Sequence, residues 1–88
     1  MKRRSITQED IDHIVSMSKV EDVKLGQKTT VVCLTLPNGF EVIQSSSCVD
    51  ASNYNHDMGK DICLRRIRAR IWELEGYVLQ TDLAKSDE

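Results

Sequence analysis

The chain has 88 residues, 40% of them hydrophobic and 30% charged, with a formal net charge of -2. That balance excludes two domains, disorder throughout, and a strongly cationic nucleic-acid carrier. No apolar run approaches the ~20 residues a membrane helix needs, so no membrane partner is expected.

A domain this small buries only about 60–65% of the surface its unfolded chain exposes, so association with other chains is expected before any motif is read. The reading is one domain over 1–88, with an ordered core of about 6–83. The basic start and the acidic C-terminal tail beyond that core are expected to be flexible. Met1-Lys2-Arg3-Arg4-Ser5 is followed by Gln8-Glu9-Asp10, not by an apolar segment. It does not read as a signal peptide, and the cytoplasm is the expected location.

The first element is a short helix, about Gln8 to Lys19. Thr7 is its N-cap and Asp10 stands where a capping box places an acid. Ile11, Ile14 and Val15 form a narrow apolar stripe, with His13 off it. A meander of strands follows. Val20 to Leu25 is ended by Gly26, and Thr29 to Leu36 is rich in β-branched residues. Pro37-Asn38-Gly39 turns the chain, and the Asn-Gly pair is read as two residues tolerant of positive φ. Phe40 to Ser46 returns, giving a two- or three-stranded antiparallel sheet.

Ser45 to Asn53 is one long polar connection, read equally as a binding loop or as a solvated cap for the next helix. That helix runs from about Asn55 to Glu75. Gly76 is a candidate C-cap or kink, with a further turn or two toward Leu83. Its apolar positions form two stripes. Leu64, Ile67, Ile71, Leu74 and Val78 lie on one side; Tyr54, Met58, Ile62, Ala69 and Trp72 lie roughly 150° around at 3.6 residues per turn. The first packs on the sheet, so the fold class is α+β. The short helix is too sparing in apolar residues to cover the second, which makes Tyr54, Met58, Ile62 and Trp72 candidates for a subunit interface.

Arg66 and Arg70 share a face between the stripes, and Arg65 and Arg68 fall on the opposite border. Such runs are commonly solvated or paired with Asp61 or Glu73. They are also forked donors able to grip phosphate oxygens. The divided arginines, interrupted by Asp61, Glu73 and Glu75, rank nucleic acid as a lesser candidate partner. Cys33, Cys48 and Cys63 are odd in number and match no zinc spacing, even with His56 beside Cys48 and Cys63, so free thiols are expected and no metal or cofactor. No nucleophile elbow, phosphate-binding loop or metalloprotease motif is present, and the expectation is a protein without catalysis. Gly59 reads as a place where another backbone comes close.

Several stretches carry a resemblance. They are Cys33 to Phe40, Ser45 to Asp50, Asn53-Tyr54-Asn55, Gly59, and Ile71-Trp72-Glu73-Leu74-Glu75-Gly76-Tyr77-Val78-Leu79. In order and spacing they resemble a family of small bacteriophage proteins named from gene-49 and gene-66 products, over about Ile6 to Leu83. Tyr54 stands where that pattern has Phe, and Ala51 where Pro is common. Members with a role resemble the phage anti-Thoeris sponges, which hold cyclic ADP-ribose-type immune signals without cleaving them. Some also take up the cyclic oligonucleotides of cyclase-based (CBASS) defence.

The resemblance implies a self-assembling protein, dimeric and pairing further into hexamers, acting in the cytoplasm of an infected bacterium. It implies phosphate donors from Arg66 and Arg70, with Arg65 or Arg68 as substitutes. Phe40 would stack on the base, and Ser47 and Asn53 would meet ribose. Two alternatives stand beside it: an inhibitor docking on a host enzyme through Met58, Ile62 and Trp72, and a nucleic-acid accessory protein.

Overall fold

The computed structural model describes residues 4–86 and has the order helix, three strands, 3-10 turn, helix. The elements are α1 (Gln8–Ser16), β1 (Lys19–Leu25), β2 (Thr29–Thr35), β3 (Glu41–Ser47) and α2 (His56–Ser86), with the 3-10 turn at Ala51–Asn53. The fold is α+β: a β1-β2-β3 antiparallel sheet with the long C-terminal helix laid across it. Of the ends expected to be flexible, Met1–Arg3 and Asp87–Glu88 lie outside the described residues, while Ala84 to Ser86 continue α2 as helix.

Thr7 and Asp10 form the full capping box. The Asp10 amide donates to Thr7 Oγ1 at 3.2 Å and the Thr7 amide donates to Asp10 Oδ2 at 2.9 Å. Aspartate is therefore long enough for this role. The helix stops at Ser16, three residues before the expected end, because the chain must turn into β1. There Ser18 Oγ donates to the Ile14 carbonyl at 2.6 Å.

The β2–β3 turn corrects the reading of Asn-Gly. Only Gly39 has positive φ, at 93°, whereas Asn38 does not. The Gly39 amide donates to the Leu36 carbonyl at 2.8 Å, which puts Pro37 and Asn38 at the centre of a four-residue turn. Proline holds the φ that such a central position needs, and glycine takes the left-handed residue that rejoins the strand. Asn38 contributes through its side chain, accepting the Phe40 amide at 2.9 Å.

Residues directly opposite in an antiparallel pair share a sheet face. Thr30, Val32 and Leu34, with Val42 on β3, form the inner face and are buried. The outer face is uncovered, with Val23, Leu25 and Ile43 exposed. All of β1 is exposed. α2 closes the inner face through Gly59, Cys63, Ile67 and Ile71, one residue per turn. The expected stripe contributed Ile67 and Ile71, flanked by half-buried Leu64 and Leu74. Gly59 and Cys63 complete the seam in place of Val78, which is exposed.

Ile11 of α1 is fully buried in the same core, so α1 covers the flank of the first stripe and not the second. Arg68 ties the two helices by an ion pair to Asp12 at 2.6 Å. Gly76 neither caps nor ends α2, which continues for ten more residues to Ser86. The molecule is accordingly long, 56 × 21 × 18 Å.

Candidate functional site

Where α2 begins, one glycine sets the geometry. A Cβ added at Gly59 would sit 2.9 Å from Thr30 Cβ, so only glycine lets the helix approach β2 this closely. The connection from Cys48 to Asn55 folds over the same end of the sheet. Asp50 accepts both the amide and the hydroxyl of Ser52, at 2.9 and 2.8 Å, and these two bonds hold its carboxyl below the usual range. Asn55 Oδ1 accepts the Met58 amide at 3.0 Å and caps α2. The polar connection is thus a built segment that caps the helix, and it also walls a cleft.

The cleft encloses about 110 Å³. Its floor is Thr30 and Gly59. Ser46, Ser47 and Cys48 form the sheet side, Asn53, Tyr54 and Asn55 the connection, and Met58 and Ile62 the helix side. Lys28 closes one end and donates from Nζ to the Val49 carbonyl at 2.9 Å. Of the expected ligand residues, Ser47 and Asn53 line this cleft. Arg66 borders it, one turn beyond Ile62, with its guanidinium donating to the carbonyl of Ser45, next to Ser46, at 2.9 Å.

The other candidates lie elsewhere. Arg70 is a further turn away and pairs with Glu73 at 3.3 Å. Arg68 is committed to Asp12, whose carboxyl is held low by Gln8 and then by Arg68. Arg65 is exposed on the outward side of α2. Phe40 stands at the start of β3 and the cleft at its end, about 20 Å apart at strand rise. The expected interface residues also divide. Met58, 62% exposed, and Trp72 face outward, while Tyr54 precedes α2 and turns inward, its hydroxyl engaged within the chain.

Behind the cleft runs a relay that no sequence motif announced. Thr30 Oγ1 lies 2.7 Å from the Tyr54 hydroxyl, which lies 2.7 Å from His56 Nδ1. His56 Nε2 is 2.6 Å from Asp22 Oδ2, and Lys60 Nζ reaches Asp22 Oδ1 at 3.2 Å. Lys24 Nζ sits 4.8 Å from the Tyr54 ring centroid. The bond from His56, and then that from Lys60, hold the Asp22 carboxyl below the usual range. An ionised carboxylate only accepts, so His56 donates from Nε2. In the neutral imidazole Nδ1 then accepts from Tyr54, and Tyr54 accepts from Thr30. The signal lay in residues 34 apart in sequence, Asp22 and His56, which only the β1–β2 pairing and the start of α2 bring together.

The cysteines are free thiols. Cys48 and Cys63 donate to the carbonyls of Asp50 and Thr30, at 3.2 and 3.8 Å. Burial pushes the Cys63 thiol up, against a smaller opposing pull from Arg66, so it stays protonated. Among the described residues no three His, Cys, Asp or Glu side chains gather to hold a metal ion.

Residues 6–83 match the model of the family described as phage protein (N4 Gp49/phage Sf6 gene 66) family. Neither the curated proteins nor the solved structures contain a match to the chain.

Proposed function

The chain belongs to this phage protein family, and from that premise we propose that it binds a nucleotide immune signal of its bacterial host and holds it without cleavage. The signal class is the cyclic ADP-ribose type, with cyclic oligonucleotides as the related class. The action takes place in the cytoplasm of the infected cell. The observation that carries the proposal is the cleft at the start of α2. It gathers hydroxyl and amide groups from Thr30, Ser46, Asn53 and Asn55, with the backbone of Ser47 beside them, Lys28 at one end and Arg66 at its border. Cations at two margins of a hydroxyl-rich recess suit a phosphate and its ribose.

Size sharpens the reading. Sites for whole small molecules enclose about 300–1,000 Å³, several times the cleft's volume of about 110 Å³. One copy therefore takes a phosphate or a sugar rather than a whole nucleotide. The rest of the ligand needs walls from elsewhere, and self-association supplies them.

The test is uptake of cyclic ADP-ribose and its isomers, followed by heat denaturation and recovery of the ligand. Intact ligand is the expected result, and degraded ligand points instead to an enzyme. Arg66→Ala should weaken binding by about tenfold or more, while Arg70→Ala, a turn away and paired with Glu73, should weaken it less. No uptake of any cyclic ADP-ribose isomer or cyclic oligonucleotide removes the reading. A second reading, docking on a host protein, draws on the outward exposure of Met58 and Trp72. A stoichiometric host partner retained at high salt would favour it.

A further inference from the structure

The strands carry apolar side chains on both faces of the sheet. An antiparallel sheet with one face in water alternates apolar and polar residues, whereas a strand covered on both faces reads as a continuous apolar run. β2 holds such a run, Val31-Val32-Cys33-Leu34. Val32 and Leu34 are buried on the inner face, so Val31 and Cys33 lie on the outer one. Val23 and Leu25 of β1 and Ile43 of β3 share that outer face, each half exposed or more. Both helices pack on the inner side, which leaves this patch without a cover from its own chain.

Charge on the patch is one-sided. The register puts Glu21 of β1 directly beside Cys33, and Glu41 one side-chain row further along on β3. With Val23, Val31 and Cys33 they line a hollow of about 350 Å³. Of the strand residues on this face, Lys19 is the one cation. It pairs with Glu21 at 3.6 Å with both side chains mostly in water, an arrangement that stabilises little. Among the described residues the Glu41 carboxylate takes only the weak thiol donor of Cys33, at 3.8 Å.

We propose that the outer face of the sheet docks a helix of another protein, one whose apolar stripe carries two basic residues about two turns apart. The sheet sets that spacing. Glu21 and Glu41 are two strands and one side-chain row apart, about 12 Å between backbones at sheet dimensions. Seven residues of α-helix rise about 10.5 Å and return to nearly the same side. The apolar diagonal from Leu25 to Ile43 runs about 17 Å, close to three turns of such a helix. A lysine or arginine stem lies along Val23 and Val31 while its head reaches a carboxylate, which matches the two natures of that side chain.

A second copy of this chain fits the hollow poorly. A two-fold contact centred there sets Glu21 and Glu41 against the same carboxylates of the other copy. The hollow and the cleft at the start of α2 lie on opposite faces of the sheet. Docking and nucleotide uptake therefore stand or fall separately.

The experiment uses the full chain and its own thiols. Half-buried Cys33 lines the hollow, and half-buried Cys48 lines the cleft and serves as internal control. Both are alkylated with iodoacetamide and resolved by peptide mass spectrometry. The probe is a synthetic amphipathic helix of leucine, alanine and glutamine with two lysines seven residues apart in its apolar stripe. At about 1 mM it should slow alkylation of Cys33 about fivefold, as a dissociation constant of about 0.25 mM implies, and leave Cys48 unchanged. A peptide of the same composition with its lysines on the opposite face should protect far less. So should one with glutamate in place of lysine. Glu21→Gln combined with Glu41→Gln alters two exposed positions and should cut the protection at least about threefold with helical content unchanged. Equal protection by the lysine and glutamate peptides overturns the proposal, as does no protection by the lysine peptide at about 1 mM. Slowing of Cys33 with rising protein concentration alone also overturns it, because a second copy then covers the face.

Discussion

The two halves of α2 are one continuous helix but answer to different constraints. Up to Ile71 every turn presents a buried residue to the sheet, and the choice of residue is set by what it touches: Gly59 against Thr30, Cys63 against the Thr30 carbonyl, Ile67 and Ile71 in the core. From Trp72 to Ser86 no residue is fully buried, and Tyr77 is 77% exposed. The first half is dictated by its own chain. Beyond Leu74, which still flanks the core, the second is helical for reasons its own chain supplies chiefly through continuity with the first. An amphipathic pattern therefore says that a face will be covered, and not by what.

The largest test of this contrast pairs two truncations. Ile71→Ala removes a fully buried side chain and should cost about 2–5 kcal/mol in urea unfolding. Leu83→Ala, measured in dilute monomer, should cost under about 0.5 kcal/mol. Equal losses would break the distinction between the halves.

The two glycines give a smaller effect of opposite sign. Gly59→Ala drives a methyl into the buried Thr30 side chain and should destabilise by about 1–3 kcal/mol. Gly76→Ala has open space and should stabilise the dilute monomer by up to about 1 kcal/mol, the helical preference of alanine. Thermal melts of both variants sharpen the comparison, because they swap the same atoms in one helix.

The smallest effect concerns acid, and it too belongs to the packed half. Asp22 is held below its ordinary value by His56 and Lys60 at the start of α2. A depressed carboxyl stabilises the fold above its unfolded pKa of about 3.9, and that contribution fades as pH falls through the folded value. Asp22→Asn should lower the melting temperature at neutral pH and flatten the loss of stability below about pH 4. A variant with an unchanged acid profile would show that the relay does not anchor β1.

Much of the fold was legible because local chemistry and global fold agree. Thr7 and Asp10 announce α1, the β-branched run announces β2, and Pro37 to Gly39 announces the turn. The buried seam was only half legible. Cysteine and glycine carry no strong apolar signal, so Cys63 and Gly59 escaped a stripe drawn from Ile, Leu and Val. Of the residues that line the cleft, Ser47 and Asn53 were named from the sequence because a polar connection must lie beside the elements it joins. Lys28, Ser46 and the Asp22–His56–Tyr54–Thr30 relay were not, since strand pairing assembles them from residues far apart. The arginines divide. The Arg70–Glu73 pair follows from spacing on α2 and was read from it, whereas Arg68–Asp12 joins residues 56 apart, which spacing along one helix does not disclose.

The unbroken run of α2 past the sheet makes the helix a ruler of its own opening. Amides around Cys63 and Ile67 are released to solvent only when the core comes apart. Those beyond Gly76 can be released by unwinding from the C-terminal end. Hydrogen exchange along this single element should therefore fall into two classes, with the step near Trp72. Exchange beyond Gly76 that slows as protein concentration rises would record the moment when the projecting half acquires a neighbour.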